Sequence, residues 1–548
     1  MIPRFALGAA GPAFEARLAA LDRSAFAERL WRRDPTLWGE DPARQGVAER
    51  RLGWLESASH MTRETESLAA LREEAVRRGC SRALLLGMGG SSLAPEVLRL
   101  AFGVRPGALD LAVLDNTSPA AVRRAAREHD PARTLVVVSS KSGGTIEVAS
   151  FEQHFFEAAR AVLGPAAGHA FVAITDPGTP LERLADARGY RRAFLNPPDI
   201  GGRYSALSFF GLVPGALIGV DLEALLDGAL DEERHSGPGM APARNAGVSL
   251  GAALGELALA GRDKVTLVLG GPLAPLGAWI EQLLAESTGK DGRGLVPVAG
   301  ELLGPPEAYG DDRVFVAVSI GDGEARTRGA LDALEQAGHP VIRWSRTRLE
   351  EMGGEFMRWE VATAAAGAVL GVDPFDEPNV AEAKESTRAT LERIVAGGRL
   401  TPEPAGGPED LASLLEQARP GDYVAILAYM ERTPERDERL ARLRLAVRDR
   451  TRLATTSGYG PRYLHSTGQL HKGGPNTGLF LHLTADEGED VPIPGERYGF
   501  AALRAAQAAG DLEVLRRRGR RVAHVHLGAA VEDGLDRLIG ALAAARRA

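Results

Sequence analysis

Residues 134–163, TLVVVSSKSGGTIEVASFEQHFFEAARAVL, read as a buried strand, a polar turn at 139–145 and a long helix. In that turn Ser140, Ser142 and Thr145 offer hydroxyls, Gly143 and Gly144 leave backbone amides open, and Lys141 adds positive charge at a helix N-terminus. Such a set suits a phosphate monoester, since it supplies donors and charge while holding nothing that would hydrolyse the ester. A Ser/Thr helix cap beside a solvated lysine has the same composition, so this loop alone is only a lead. A second loop strengthens it. GMGGSSLAP, residues 87–95, also follows a strand and opens a helix, and its glycines let backbone amides approach an anion near Ser91. It lacks the dinucleotide fingerprint, and no Walker sequence follows. Two such turns at the carboxyl ends of one sheet lie where α/β sheets bind ligands, and they favour a small phosphorylated molecule.

Three further segments bear groups for acid–base chemistry. GGRYSALS places Arg203 after two glycines, where backbone can crowd a ligand and a fixed guanidinium can hold developing negative charge. An arginine met alone is more often a surface ion pair. AESTGKDGRG puts Glu286 at a helix end, a setting for a general base, although most glutamates there are solvated caps. LHSTGQLHKGG holds His465 and His471 in a glycine-rich loop, and histidine is the usual acid or base near neutrality. The H-x5-H spacing has no metal-helix geometry and no carboxylate partner nearby in sequence, so no metal site is expected.

These loops need a scaffold that gathers distant segments, and the apolar pattern provides one. From about residue 80, short β-rich runs alternate with helix-length amphipathic stretches: RALLLG ending at Gly87, LAVL at 111–114, TLVVVSS ending at Ser140 and FVAIT at 171–175. The rhythm restarts at 265–271 (VTLVLGG), 314–320 (VFVAVSI) and 339–344 (HPVIRW). It predicts an α/β fold of two successive parallel-sheet sandwiches, breaking near 245. GGRLTPEPAGGPED, 397–410, reads as a linker. Beyond it YVAILAYM, LFLHLT and RVAHVHLG read as strands, with Thr433 and Pro434 as N-cap and first residue of a helix. The expected division is a helical arm at 1–60, sandwiches at 61–245 and 246–400, and a smaller α/β module at 411–548 that carries His465.

Composition narrows the class. The chain has 548 residues, 73 acidic against 65 basic, and a net charge of −8. At roughly 150 residues per domain this makes about three to four domain-sized units. Hydrophobic residues at 44% and charged ones at 25% exclude a disordered chain, and no basic stripe marks a nucleic-acid partner. A single cysteine, Cys80, excludes a disulfide framework or cysteine-rich zinc site. No apolar run approaches the roughly 18 residues of a membrane span, and the N-terminus is broken too early for a secretory signal. A cytoplasmic enzyme is expected. Only Lys141, Lys264, Lys290, Lys384 and Lys472 escape a strong bias toward arginine. Four of them, all but Lys264, stand in or beside loops rich in Gly, Ser and Thr, where a compact, tunable charge has uses that arginine cannot serve.

Taken together, GMGGSSLAP, SSKSGGT, GGRYSALS, ESTGKDGRG, GVDPFDEPNVAEAK and LHSTGQ resemble the glucose-6-phosphate isomerase family, built on sugar-isomerase (SIS) domains of flavodoxin-like type. The likeness spans residues from about 80 to 475 and is greatest to the isomerase half of bacterial fused transaldolase/glucose-6-phosphate isomerase proteins. A transaldolase barrel of roughly 250 residues has no room beside two sheets and a third module. The resemblance implies reversible isomerisation of glucose 6-phosphate and fructose 6-phosphate, in glycolysis and gluconeogenesis, by ring opening and a cis-enediol, with no metal or organic cofactor. It implies Ser91, Ser140, Lys141, Ser142 and Thr145 as substrate-binding residues. Glu286 is then the base moving a proton between carbons 1 and 2, Arg203 the cation that stabilises the enediolate, and Lys384 with His465 the ring-opening pair. A homodimer with active sites at its interface is implied as well.

Two departures from the family pattern bear on the site. The histidine usually precedes the lysine, whereas here His465 lies beyond the linker. The third module must therefore fold over the cleft of the first two, or over a partner's cleft, and Lys472 is expected beside the ligand. Glu377 stands where many relatives carry glutamine, and a carboxylate beside a dianionic substrate is repulsive unless it points away or pairs with a cation. Two alternatives stay open. A non-catalytic SIS-domain sensor of sugar phosphates would keep SSKSGGT but has no need of Arg203, Glu286, Lys384 and His465 together. A dual isomerase would also accept mannose 6-phosphate, an epimer at carbon 2.

Overall fold

The computed structural model describes residues 2–397, 406–486 and 488–544; most of the expected linker, 398–405, lies outside them. The chain opens with β1 (Arg4–Ala6), then builds a parallel sheet from β2 (Arg82–Gly87), β3 (Asp110–Leu114), β4 (Thr134–Ser139), β5 (Phe171–Thr175) and β6 (Arg192–Leu195). Along β2 and β4 every second side chain enters a different core. Leu85, Leu135 and Val137 join one apolar cluster, and Leu84, Leu86, Val136 and Val138 join another. Strands buried on both faces need helices on both sides, which parallel crossovers supply. The order β3-β2-β4-β5-β6 is the flavodoxin-like arrangement, whose switch point falls between β2 and β4. Chain leaving those two strands diverges to opposite faces, so a crevice opens between the 87–90 and 139–145 turns.

A second sheet repeats the plan with β7 (Lys264–Leu269), β8 (Val296–Val298), β9 (Arg313–Ile320) and β10 (Val341–Arg346) in the order β8-β7-β9-β10. Strand β1 adds to β10 in antiparallel register, so residues 1–60 are not only a helical arm: their first strand covers an edge of the second sheet. The third sheet uses the same order again, β12-β11-β13-β14, with β11 (Tyr423–Tyr429), β12 (Ala454–Tyr459), β13 (Gly478–Thr484) and β14 (Arg521–His526), all parallel. Three strands carried weak apolar patterns: β6 and β12 lie at sheet edges and are part-exposed, and β8 is only three residues long.

The first two sheets share one apolar core, to which Leu85 and Val316 both belong. The third module packs on both. Val296 and Val298 of β8 cluster with Tyr423, Ala425 and Leu427 of β11, while Phe500 stacks on Phe151 of the first module at 5.6 Å between ring centroids. Burying a phenylalanine side chain is worth roughly 1.5–3 kcal/mol, so this contact alone resists swinging of the third module.

At the centre, helix Met352–Leu370 packs along helix Ala246–Leu259, where a Cβ on Gly251 would sit 2.2 Å from the Ala362 carbonyl oxygen. The first of these helices buries Glu360, whose Oε1 has no hydrogen-bond partner. Burial holds its carboxyl well above the usual range. A carboxyl raised by folding has its full stability below the unfolded-state value and loses it as pH rises toward the folded value. Glu360→Gln removes the cost of protonating this carboxyl on folding, and should therefore stabilise the protein more at pH 8 than at pH 5. Denaturant unfolding at the two pH values checks this; equal shifts would exclude a buried, protonated Glu360.

Candidate active site

The β2/β4 crevice becomes an open cleft of about 320 Å³, to which the other two modules add walls. On one side lies the first glycine turn. Gly89 has φ +55°, and a Cβ there would come 2.8 Å from the His465 carbonyl oxygen. Gly90 is tighter still, since its Cβ would sit 1.9 Å from the Gly202 carbonyl oxygen. The two glycine segments are thus in contact, and Ser91 and Arg203 face the same space.

The polar turn after β4 forms one end of the cleft, the end expected to hold an anion. Ser142 and Thr145 line the cleft, and Thr145 occupies the N-cap of helix Ile146–Leu163 without a side-chain cap bond, which leaves its hydroxyl for other use. Ser140 does not line the cleft: it is buried behind the loop, with its hydroxyl 3.1 Å from that of Thr145. Lys141 lines the cleft but is paired with Asp176 and donates to the Pro198 carbonyl at 3.2 Å. Burial lowers its pKa, against the pull of Asp176.

Across from this end stands Glu286, in the last turn of helix Leu276–Thr288. The helix stops at Gly289, where a Cβ would lie 2.4 Å from the Leu470 Cα, so the third module presses directly on the turn after the glutamate. Glu286 faces Arg203, with Nη1 at 3.3 Å. Arg203 is only 3% exposed, and its fork is fully engaged. Nε donates to Ser287 Oγ at 2.8 Å, Nη1 to Glu377 at 3.0 Å, and Nη2 to the Pro374 and Asp376 carbonyls at 2.7 and 2.8 Å. Burial pushes Glu286 above the usual carboxylate range and Glu377 adds to this, while Arg203 opposes it. Glu377 behaves oppositely: against the upward push of burial, Arg203 holds it below that range. The extra carboxylate is therefore neutralised by a cation and not left to repel a dianion.

His465 ends the short helical turn Arg462–His465. Its Nε2 lies 3.0 Å from Glu147 Oε1, which also accepts from Gln507 at 2.7 Å. The carboxylate partner invisible near His465 in sequence comes from the first module instead. Gln282 ties the two reactive ends together, its Nε2 donating to Glu286 at 3.0 Å and to the His465 carbonyl at 2.8 Å. The histidine turn is moored by Arg462, which pairs with Glu96 and, at 3.1 Å, with Asp115. Arg432 joins the same Glu96 at 3.1 Å. Lys384, on helix Val380–Val395, reaches the cleft and an adjoining cavity of about 210 Å³ that shares Thr145 and His465.

One cleft thus gathers Ser91, Lys141, Ser142, Thr145, Arg203, Glu286, Lys384 and His465 from a single chain. Lys472 is elsewhere. It is buried inside the third module against Asp511 at 2.6 Å, whose other oxygen accepts from Tyr463 at 2.6 Å, because a compact ammonium fits that enclosed site. Sequence reasoning missed Arg51, Glu147, Asp176 and Gln282. Gln282 was findable, since it precedes Glu286 by four residues and shares its helix face; Arg51 carried no signal. Among the described residues, no group of three or more His, Cys, Asp or Glu is placed to hold a metal, and no helix is long and apolar enough to cross a membrane.

Fold and site define a doubly wound α/β protein whose switch-point crevice, lined by hydroxyls and glycines, faces a buried glutamate–arginine pair. Residues 72–294 match the phosphoglucose isomerase family model. The chain is 32% identical over 397 residues to glucose-6-phosphate isomerase of Rubrobacter xylanophilus, covering 61% of this chain and 88% of that protein. Identity to glucose-6-phosphate isomerase of Thermus thermophilus is 32% over 344 residues, 60% of this chain and 77% of that one. Among solved structures it resembles a hypothetical protein of Thermus thermophilus, with 27% identity, a TM-score of 0.59, and coverage of 71% of this chain and 100% of that chain. The chain belongs to the phosphoglucose isomerase family.

The Glu286–Arg203–Glu377 triad sets a measurable ionisation. Removing the Glu377 charge eliminates a repulsive neighbour of Glu286 and leaves Arg203 to act on Glu286 alone, and both effects favour the carboxylate. Glu377→Gln should lower the Glu286 pKa. Carbon-13 NMR of glutamate-labelled protein reads this directly; an unmoved or raised Glu286 titration would show that the triad is not electrostatically connected.

Proposed function

We propose that this chain interconverts glucose 6-phosphate and fructose 6-phosphate by ring opening followed by proton transfer through a cis-enediol. The observation that carries the reading is a buried carboxylate, Glu286, facing a saturated guanidinium, Arg203, in a cleft that also holds an anion loop and a histidine–carboxylate pair. The phosphate is held at Ser142 and Thr145, with Ser140 bracing the loop from behind. His465, aligned by Glu147, and Lys384 act on the ring oxygen and the anomeric hydroxyl: one proton leaves the hydroxyl, one reaches the ring oxygen, and the C1–O5 bond breaks. Glu286 then takes the proton from carbon 2, whose electron pair moves into the carbonyl, and Arg203 stabilises the resulting oxyanion. Return of that proton to carbon 1, with transfer of a hydroxyl proton from O2 to O1, completes the ketose.

A raised pKa suits Glu286 to this task, since a stronger base removes a weakly acidic proton more readily. A sugar-phosphate sensor has no use for a buried base beside a saturated cation, and that pair favours the enzyme. The groups assigned to the chemistry here all come from one chain. A cytoplasmic site of action accords with the single cysteine and the phosphorylated substrate.

Glu286→Gln should keep the fold and bind fructose 6-phosphate, yet lose about a hundredfold to ten-thousandfold in turnover. Exchange of the carbon-2 proton with solvent, followed by NMR in deuterium oxide, isolates the step. Exchange at the wild-type rate in the variant would rule out Glu286 as the base.

A further inference from the structure

The N-terminal arm delivers to the cleft an arginine that the family motifs do not include. Arg51 directly precedes the place where the arm is clamped to the segment leading to Arg203. Leu52 bridges Ile200 in antiparallel register, the Gly53 N–H donates to the Asp199 carbonyl at 2.9 Å, and Trp54 stacks on Tyr204 at 5.2 Å between ring centroids. Gly53 lies so close to Asp199 that a Cβ would meet its carboxylate at 2.3 Å. With its three successors fixed, Arg51 has a fixed backbone origin. Its stem passes Gly201, with Cδ 3.9 Å from where a Cβ would stand there, and the side chain lines the cleft together with Lys141, Asp176 and Glu377.

Its pairing differs from that of the cations around it. Lys141 is matched by Asp176, and Arg203 by Glu286 and Glu377. The Arg51 guanidinium makes no hydrogen bond or ion pair among the described residues, though it is only partly exposed. Its field nonetheless reaches the anion end, where it acts on Lys141 and Asp176. A phosphate dianion arriving at Ser142 and Thr145 would otherwise meet a lysine already neutralised by its aspartate. A partly desolvated fork with five N–H donors is suited to oxyanion recognition.

We propose that Arg51 is a substrate-binding residue that contacts the phosphate group held by the 140–145 loop. This assignment rests on the reading of the cleft as a sugar-phosphate site. It makes the N-terminal arm part of the binding machinery, and it separates two roles among the arginines: Arg51 takes the charge that the substrate brings, and Arg203 takes the charge that the reaction creates.

Calorimetric titration of the full chain with inorganic phosphate and with fructose 6-phosphate tests the proposal. Arg51→Gln should weaken both by about ten- to a hundredfold, as expected for a lost hydrogen bond to a charged group. KM for fructose 6-phosphate should rise in step while kcat stays within about threefold, the pattern of lost uniform binding. Arg51→Lys should recover part of the affinity, because it keeps the charge and loses the fork. Arg33→Gln is the control for arm packing: it removes pairs to Glu56 at 3.0 Å and Asp199 at 3.1 Å without touching the cleft, and should leave phosphate affinity unchanged. Unchanged phosphate affinity in Arg51→Gln, an equal loss in Arg33→Gln, or no phosphate binding by the wild type would each overturn the assignment. Phosphate binding that depends on Arg51 in a chain that exchanges no carbon-2 proton would leave the subsite standing and overturn the isomerase reading instead.

Discussion

Arg203 is the constraint on which the rest of the architecture turns. A guanidinium buried this deeply is tolerable only if all its donors are met, because an unpaired buried charge costs several kcal/mol. Those partners come from different parts of the chain: Ser287 and Glu286 from the helix after β7, Glu377 and two carbonyls from the segment before Lys384. Arg203 itself comes from the segment after the first sheet. Satisfying one side chain therefore fixes the second module against the first, to within hydrogen-bond tolerance. The same requirement explains the glycines around it. Gly90 touches the Gly202 carbonyl, and no side chain can stand between the two turns without displacing the guanidinium from its ring of acceptors.

The third module faces a harder problem, since it must hold a histidine accurately from a separate sheet. Reaction geometry tolerates errors well under an ångström, and an apolar interface alone does not set position that finely. The chain uses charge at the root of the turn and hydrogen bonds at its tip. Arg462 and Arg432 alternate with Asp115 and Glu96 across the interface, so sliding would bring like charges together. At the tip, Gln282 holds the His465 backbone and Glu147 holds its ring. Because Gln282 also holds Glu286, the His465 turn and the glutamate share one amide, and the position of each constrains the other.

Much of this was legible in the sequence, for reasons that also mark where legibility ended. Strands buried on both faces write themselves as unbroken apolar runs, so β2, β4, β5, β9 and β11 stood out, whereas part-exposed β6 and β12 and the three-residue β8 did not. The anion loop, Glu286 and Arg203 sit in short motifs with a local chemical rationale. Glu147 and Arg51 have none, because their roles arise from contacts between residues hundreds of positions apart or between an arm and a crevice. The rare lysines were a real signal with a partly mistaken meaning. Lys141 and Lys384 line the cleft, but Lys290 and Lys472 are buried structural cations. Lys290 donates to the Asp373 and Asp376 carbonyls at 2.7 and 2.6 Å and to the Asp376 carboxylate at 2.5 Å, a compact cage into which a planar guanidinium would not fit. Resistance to arginine bias identified positions needing a small cation, and enclosure, more than ligand contact, created that need.

The pairing of charges before substrate arrives also decides which groups answer to which event. Beside Ser142 and Thr145 Lys141 and Asp176 cancel, whereas Arg203 faces two carboxylates, Glu286 and Glu377, so that cluster is net negative while both are ionised. Glu377 is what makes the surroundings of Arg203 net negative, and that excess favours a proton on Glu286. With glutamine there, Arg203 would bind Glu286 more exclusively and depress its basicity, trading proton affinity for a tighter ground-state pair. With glutamate, the base stays strong and the guanidinium is shared. In the proposed reaction Glu286 becomes neutral as it takes its proton, and one partner of Arg203 loses its charge at the moment an oxyanion forms nearby. Arg203 then has one charged partner in place of two, so its field acts on the oxyanion more strongly in the transition state than before it, and that difference is what accelerates a reaction.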